Sequence, residues 1–337
     1  ALSNLVEQLC AITAATEPLK DLTWLLNLPT DLRAQQKVAA VLSDYTQTAR
    51  MTASEKHGKL GASEPLEDQV AIQLSGITVA SPWTEGSFLC RDVNTSVAQG
   101  QLVAVVGQSA ASASMLLRII GRDVAPASGD VLVPAHLRVL HLSTEPVYFD
   151  ASCWENITYG RPEAEPDFVL SLLRRMDMPS AVACVENDLR RRQSSSNKSA
   201  RSVEDECKAS ACSAEGIAEM KAMRECEQVK LQLARAFVMN PEVLVLHGRF
   251  AKFGEGFCQT VLEVLQEFVR NRGVALSEKS KDRRRPRTCF FSPEMVAQAE
   301  ASDVVWYLRS STASVQSFQG SEFAANTSLR MELLQAC

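Results

Sequence analysis

The chain has 337 residues, a formal net charge of -5 and a pI near 5.6, with 46% hydrophobic and 22% charged residues. This balance is typical of a folded globular protein with one large domain or two ordinary ones. It argues against a nucleic-acid-coating protein, because such a surface needs an excess of basic residues. The sequence has no run of about 18 apolar residues, so no segment of it is expected to span a bilayer.

The N-terminal residues 1–44 predict a helical arm. Pro18 is expected to end or kink its first helix, and a second apolar stripe follows over residues 19–26. Apolar residues at three- and four-residue spacing place one stripe on the first helix. The candidate docking residues on that stripe are Leu2, Leu5, Leu9 and Ile12. The stripe predicts either a helical hairpin packed on the chain's own domain or an arm docked on a partner.

A polar linker is predicted over residues 45–69, an α/β domain over 70–322 and a C-terminal tail over 323–337. Short continuous apolar runs inside the domain are typical of buried strands. The clearest runs are Leu102–Val106, Val243–Leu246 and Cys289–Phe291. Helical patterns separate these runs, and strands that alternate with helices imply parallel pairing.

Two polar insertions interrupt the domain near residues 188–215 and 277–287, and both contain runs of basic residues. Such charge runs are usually solvated loops. Phosphorylation near Ser194 and contact with anionic lipid or an acidic partner are the alternatives.

The ten cysteines are scattered and form no CxxC pair. A chain of this length needs no disulfide to stabilise its core, so reduced and mostly packed thiols are predicted. Cys207 and Cys212 lie close together, but no histidine is near them, and structural zinc needs four closely spaced ligands. We therefore expect no metal site, and we expect the protein to occupy a reducing compartment.

The segment from Gly100 to Leu117 resembles the Walker A segment of an ABC transporter nucleotide-binding domain. Further segments resemble other parts of that domain in the same order, namely 88–93, 145–160, 227–237, 240–246 and 302–308. The resemblance implies the exporter type of this P-loop NTPase-like fold, which has a mixed sheet with helices and a helical subdomain. Residues 1–44 would then be an N-terminal helical extension.

The residues that handle phosphate depart from the family pattern. In a P-loop, glycines let backbone N–H groups approach phosphate, a lysine reaches the β- and γ-phosphates, and Ser or Thr binds Mg²⁺. Here Ser112 stands at the second glycine position and Ala113 at the lysine position, so that only Gly107 and Ser114 fit. The resemblance therefore implies a residual turn that is not expected to bind ATP or Mg²⁺.

The other catalytic positions of the family are also replaced. Thr144 stands for the Q-loop glutamine, and His247 and Gly248 stand for the Walker B aspartate and the catalytic glutamate. Met223–Glu227 replaces the signature loop, and Pro293 replaces the switch histidine. No catalytic residue is therefore assigned, and the chain is expected to be a pseudo-ATPase.

These observations predict a structural, non-catalytic subunit of a larger membrane-associated complex. The partners would be other protein subunits or an ABC half-transporter, with no nucleic acid, and the location would be peripheral to a cytoplasmic or organellar membrane such as the mitochondrial one. One alternative is the inactive half of a heteromeric ABC exporter. Another is a residual nucleotide- or anion-binding module at Gly107–Ser114, with Trp83 stacked on the base.

Overall fold

A computed structural model describes the chain over residues 16, 18–27, 32–60, 65–81, 87–142, 145–196, 220–247, 253–309 and 314–336. The chain divides into two compact units, residues 1–44 and 45–337. The predicted docking residues Leu2, Leu5, Leu9 and Ile12 lie outside the described residues, as does Trp83.

The described strands are β1 Ile72–Ala80, β2 Phe88–Val97, β3 Leu102–Gly107, β4 Ser128–Leu132, β5 Val139–Leu142, β6 Val243–Leu246, β7 Thr288–Phe291, β8 Val304–Arg309 and β9 Ser314–Gln319. The described helices are α1 Leu32–Leu60, α2 Ala110–Ile120, α3 Cys153–Ile157, α4 Pro166–Arg175, α5 Pro179–Ser196, α6 Glu225–Met239, α7 Glu255–Arg270, α8 Val296–Glu300, α9 Gly320–Ala325 and α10 Thr327–Ala336. Two short 3₁₀ segments cover Leu66–Gln69 and Glu278–Arg283.

A six-stranded sheet in the order β5-β6-β7-β3-β8-β9 forms the centre of the second unit. The first five strands in this order pair in parallel, and β9 pairs antiparallel to β8 at the edge. Strands β3, β6 and β7 are buried along their whole length, as expected for strands covered on both faces. The predicted parallel sheet and the three predicted buried runs are confirmed.

Each face of the six-stranded sheet has its own core. Val103 and Val105 of β3 face α2 and the antiparallel sheet β2-β1-β4, where Leu116 of α2 is fully buried. Ala104 and Val106 of β3 face the other core, to which helices α3 to α7 contribute. Because side chains alternate along a strand, one short apolar run serves both cores. The mixed sheet with a helical subdomain agrees with the expected fold class.

The C-terminal residues pack against the domain. Phe323 of α9 is fully buried and Leu329 of α10 is 3% exposed, and both belong to the same core as Ala104. Residues 323–329, which were predicted to begin a tail, are thus part of the domain's packing. The two apolar side chains are separated by polar residues, so the sequence showed no stripe long enough to predict a helix.

Helix α1 continues through the predicted boundary between arm and linker. Residues 45–60 are helical where the sequence predicted a polar linker. The segment 32–57 contains neither Gly nor Pro, and Ala, Lys, Gln and Glu favour a helix even without an apolar stripe. Tyr45 donates from its hydroxyl to Ala71 O at 2.8 Å, and Ala135 donates from its amide to Thr46 Oγ1 at 3.1 Å. These two bonds hold the middle of α1 against residues 71 and 135.

The two predicted insertions differ from simple loops where they are described. Residues 188–196 complete α5, and Glu278–Arg283 forms a 3₁₀ segment. Residues 197–215 lie outside the described part of the chain.

No disulfide joins the six cysteines that the structure describes, and five of them are buried. Burial raises the pKa of the Cys90 thiol to about 12, so this thiol is packed in its protonated form at neutral pH.

Candidate functional site

The turn between β3 and α2 contains the four residues that the sequence assigned to a residual P-loop. β3 ends at Gly107, and α2 begins at Ala110 with Ser109 at its N-cap. The amides of Ser112 and Ala113 both donate to Ser109 O, at 3.1 and 3.5 Å. The Ser112 hydroxyl donates to the same carbonyl oxygen at 2.7 Å. Three donors of the turn therefore converge on one acceptor within the chain.

The inside of this turn is tightly filled. A Cβ atom on Gly107 would lie 2.7 Å from Ser112 Oγ and 2.9 Å from Ser109 O. Ser112 and Ala113 are 4% and 5% exposed, and Ala113 packs in the core beneath the antiparallel sheet. Ser114 is half-buried on the next position of α2. The structure thus brings Gly107, Ser112 and Ala113 together, with the serine side chain between the other two.

Phosphate-binding loops direct successive backbone N–H groups toward the anion and add a cationic side chain. Here two of these N–H groups are bonded to Ser109 O, and the sequence has no Lys or Arg from Leu102 to Leu117. Arg118 is the first cation along α2, and its Nε donates to Asp123 at 2.7 Å. At this turn the amides of Ser112 and Ala113 are thus used within the chain, and no cationic side chain precedes Arg118 on α2.

The remaining predicted positions are only partly described. Thr144 and Gly248 lie outside the described residues. His247 follows β6, where its amide donates to Leu142 O at 3.3 Å, and Pro293 is buried. Glu227, at the end of Met223–Glu227, has a buried carboxylate that accepts from the Ser180 amide at 3.3 Å. The carboxylate of this segment is thus used to attach α6 to α5.

Arg235 on α6 connects segments that the sequence analysis did not link. Its guanidinium donates to Asn156 O at 2.7 Å, to Val147 O at 2.9 Å and to Asn156 Oδ1 at 3.1 Å. Asn156 in turn accepts from the Phe149 amide and donates to Phe149 O. Arg235 is 9% exposed and Asn156 is fully buried. A buried polar network therefore holds the loop before α3 against α3 and α6.

The same network supports an exposed aromatic pair. The rings of Phe149 and Tyr159 stack with centroids 4.2 Å apart, and Arg235 lies over the Phe149 ring at 5.1 Å. Phe149 is 37% exposed, while Tyr159 and Val147 are each 55% exposed. We call Val147, Phe149 and Tyr159 the aromatic patch. The sequence placed these residues in family-like segments but offered no signal that they would meet.

A second buried network lies at the amino-terminal ends of β5, β6 and β7. Glu242 is 7% exposed and accepts from the Arg138 side chain at 2.9 Å and the Arg138 amide at 3.1 Å. Arg287 lies 3.4 Å from the same carboxylate. Burial lowers the pKa of Arg287 to about 10, with Glu242 acting in the opposite direction and Arg138 adding to the decrease. This network ties the starts of three strands together and does no chemistry.

In the part of the chain that the structure describes, no cluster of His, Cys, Asp or Glu is arranged to hold a metal ion. Within the same part, no helix has the length and hydropathy needed to cross a membrane.

A family model described as ABC transporter matches residues 90–247. The ABC multidrug transporter mdr2 of Aspergillus fumigatus is 30% identical over 115 residues, which are 31% of this chain and 14% of the relative. The ATP-dependent permease MDL1 of Candida albicans is 22% identical over 216 residues, which are 61% of this chain and 28% of the relative. The mitochondrial potassium channel ATP-binding subunit of Mus musculus is 28% identical over 116 residues, which are 31% of this chain and 16% of the relative.

A bacterial Atm1-family ABC exporter, solved with ATP bound, has a similar fold with a TM-score of 0.53 at 15% sequence identity. The similarity covers 78% of this chain and 41% of the exporter chain. This chain thus spans well under a third of the length of each curated relative named above. The family model covers somewhat under half of the chain, and together with the named relatives and the shared fold it supports a nucleotide-binding domain of the ABC exporter type in this part of the chain.

Proposed function

We propose that this domain does not hydrolyse ATP and serves as a structural member of an exporter-type membrane assembly. The observation that carries the proposal is the closed turn after β3. Ser112 fills it and bonds to Ser109 O at 2.7 Å, while the amides of Ser112 and Ala113 use the same acceptor. This turn offers a nucleotide phosphate no lysine, and the amides of Ser112 and Ala113 are already bonded within the chain.

The number of missing groups strengthens this proposal. Removing one positioned donor or charge from such a site costs about 10²–10³ in rate. The lysine, the Q-loop glutamine and both Walker B carboxylates are all replaced, by Ala113, Thr144, His247 and Gly248. Losses within one site do not add simply, yet none of the replacements supplies a charge or an oxygen ligand of the required kind. Mg²⁺ prefers oxygen ligands, and Ser114 is the one family position here that keeps a hydroxyl.

The aromatic patch supports a role in binding another protein. Phe149 and Tyr159 are partly exposed but held in place by the Arg235 and Asn156 network. Exposed aromatic side chains on a rigid frame are favourable contacts, because little conformational entropy is lost when a partner covers them. This domain keeps a rigid pair of exposed aromatic side chains, while the turn after β3 is filled by Ser112. Such a domain is suited to binding another protein.

Two kinds of assembly fit this role. In the first, the chain is a structural subunit of a membrane-associated complex without an ABC partner. In the second, it is the inactive half of a heteromeric exporter. The relatives named mdr2 and MDL1 are transporters by name, and this favours the second kind. The partner that copurifies in a fixed ratio distinguishes the two.

The proposal is tested by ATP turnover. The wild-type chain and Ala113→Lys are both expected to show no hydrolysis above a buffer blank, because one lysine does not open the turn or replace the missing carboxylates. The measurement is phosphate release with Mg²⁺ and ATP, with an active exporter domain as positive control. Turnover in the wild-type chain would refute the proposal, and turnover in Ala113→Lys would refute the argument from combined losses.

The binding role is tested by gentle purification from the native source. The double variant Phe149→Ser/Tyr159→Ser is expected to lose most of any stoichiometric membrane partner, because two exposed aromatic side chains are removed from the contact. A matched control changes two other exposed apolar side chains, as Phe88→Ser/Met331→Ser. If both variants retain the partner equally, the aromatic patch is not its binding site. If the retained partner is an ABC half-transporter, the chain is the inactive half.

A further inference from the structure

The segment Glu278–Arg287, which we call the basic turn, concentrates positive charge in an acidic chain. Its ten residues include six basic and two acidic side chains, whereas the whole chain has a formal net charge of -5. Like charges this close repel one another, so the turn needs bonds to hold it together.

Two arginines of the basic turn provide these bonds. Arg284 donates from one guanidinium to Ser280 Oγ at 2.7 Å and to Asn271 O at 2.8 Å. Arg287 donates to Asn240 Oδ1 at 2.9 Å from a position that is 6% exposed. These two side chains attach the turn to the residue after α7 and to the residue after α6. The backbone of the basic turn is therefore held in one conformation.

The other cations of the basic turn do not take part in bonds of this kind. Lys279, Arg283 and Arg285 are exposed, and Lys281 lines an open groove of about 700 Å³ beside α7. Among the residues that the structure describes, none of these four side chains has a hydrogen-bond or ion-pair partner. The turn thus presents unpaired positive charge on a fixed backbone.

The charges around the basic turn differ from one side to the other. The groove that Lys281 lines also contains acidic side chains, among them Glu263 and Glu267, whereas Arg285 lies on the side of His136. Burial and the nearby charges of Arg285 and Arg50 lower the pKa of His136, against the weaker effect of Glu67 and Asp68. Both ring nitrogens of His136 are without a hydrogen-bond partner in the described structure. Arg285 and Arg50 thus both lie close enough to His136 to disfavour its protonation.

We propose that the basic turn contacts the anionic headgroups of a lipid membrane. This inference rests on the proposed membrane assembly. A lipid surface requires only closely spaced cations, since each Lys or Arg gains from the surface potential. An acidic peptide partner would also need apolar or shape-specific contacts, and Pro286 is the one apolar side chain in the turn. The basic turn offers exposed positive charges and almost no apolar surface, and this favours a lipid surface over an acidic peptide.

The test is vesicle binding by the full chain, with phosphatidylcholine vesicles alone and with about one third phosphatidylserine. Wild type is expected to bind only the anionic vesicles and to be released at about 1 M salt, where the screening length falls to about 3 Å. The triple variant K279Q/R283Q/R285Q is expected to bind about 100-fold more weakly, since each cation contributes about fivefold. Its three side chains have no described partner, so its thermal unfolding should match that of wild type.

The matched control is K37Q/R91Q/K221Q, which removes the same charge from exposed positions elsewhere. This control is expected to retain binding within about fivefold, the contribution of one cation. Equal binding to both kinds of vesicle, or equal weakening by the two triple variants, would overturn the inference. Binding to polyglutamate but not to anionic vesicles would also overturn it, in favour of an acidic protein partner. None of these outcomes depends on ATP hydrolysis, so the inference can fail while the proposed function stands.

Discussion

Replacing Glu242 with glutamine is expected to lower the free energy of unfolding by about 3–5 kcal/mol, the usual cost of removing one partner from a buried ion pair. The reason is that Arg287 stays buried at 6% exposure and loses its carboxylate. Arg138 now bonds both carboxylate oxygens, and it would keep only one neutral oxygen acceptor. Chemical denaturation with urea, followed by tryptophan fluorescence, measures the change.

The control for this prediction is Glu67→Gln. Glu67 lies 3.9 Å from Arg50, and the two side chains are 40% and 43% exposed. An exposed ion pair of this kind contributes about 0–1 kcal/mol, so the control should unfold nearly as wild type does. If Glu242→Gln costs no more than Glu67→Gln, the buried network does not stabilise the three strand starts.

The effect of Glu242→Gln on stability is also expected to depend on pH. Burial alone raises the pKa of Glu242, but the hydrogen bonds from Arg138 and the charge of Arg287 outweigh it and hold this pKa below its ordinary value. A depressed carboxylate pKa gives stability that is present above the unfolded-state pKa and lost as pH falls through the folded-state value. Glu242→Gln should therefore lose less additional stability than wild type when the pH is lowered below about 4.5.

Replacing Arg235 with methionine is the second change with a large expected effect, about 3 kcal/mol of lost stability. The guanidinium makes three hydrogen bonds of 2.7–3.1 Å to Val147 and Asn156. Methionine fills much of the volume but leaves these buried acceptors without their charged donor. Amide hydrogen exchange should increase locally in residues 147–158, because this segment depends on the arginine.

Arg174→Met is the matched control, since Arg174 is 61% exposed and pairs with Glu186 at 3.3 Å. It should change stability by less than about 1 kcal/mol. Equal exchange rates over residues 147–158 in wild type and Arg235→Met would contradict the assigned role of Arg235. If Arg235→Met also loses the membrane partner while Phe149 and Tyr159 are intact, the frame of the aromatic patch matters as much as its rings.

The buried strands were predictable because their signal is local. Val243–Leu246 and Cys289–Phe291 are continuous apolar runs that must be covered on both faces, and the structure places both in the middle of the six-stranded sheet. The helix at residues 45–60 was missed because an exposed helix carries no apolar stripe. The packing of Phe323 was missed because a single buried side chain gives no periodic signal.

The polar networks had no signal in the sequence. Arg235 and Asn156 are 79 positions apart, and Arg138 and Glu242 are 104 positions apart. Hydrogen bonds between such residues depend on which strands and helices become neighbours. A single sequence does not distinguish an arginine that the fold buries, such as Arg235, from an exposed one such as Arg283.

The sequence by itself predicted the parallel sheet, because hydrophobic runs are a local property. The resemblance places Ser112 and Ala113 where the family pattern has a glycine and a lysine, and this too depends only on local residue identity. Only the tertiary structure decided that α2 packs beneath the antiparallel sheet, which buries Ser112 and Ala113. The bonds from the Ser112 hydroxyl and the two amides to Ser109 O span three or four residues and belong to the start of α2. The aromatic patch and the unpaired cations of the basic turn are likewise products of tertiary structure. Their positions follow from Arg235, Arg284 and Arg287, whose bonding partners are set by the fold.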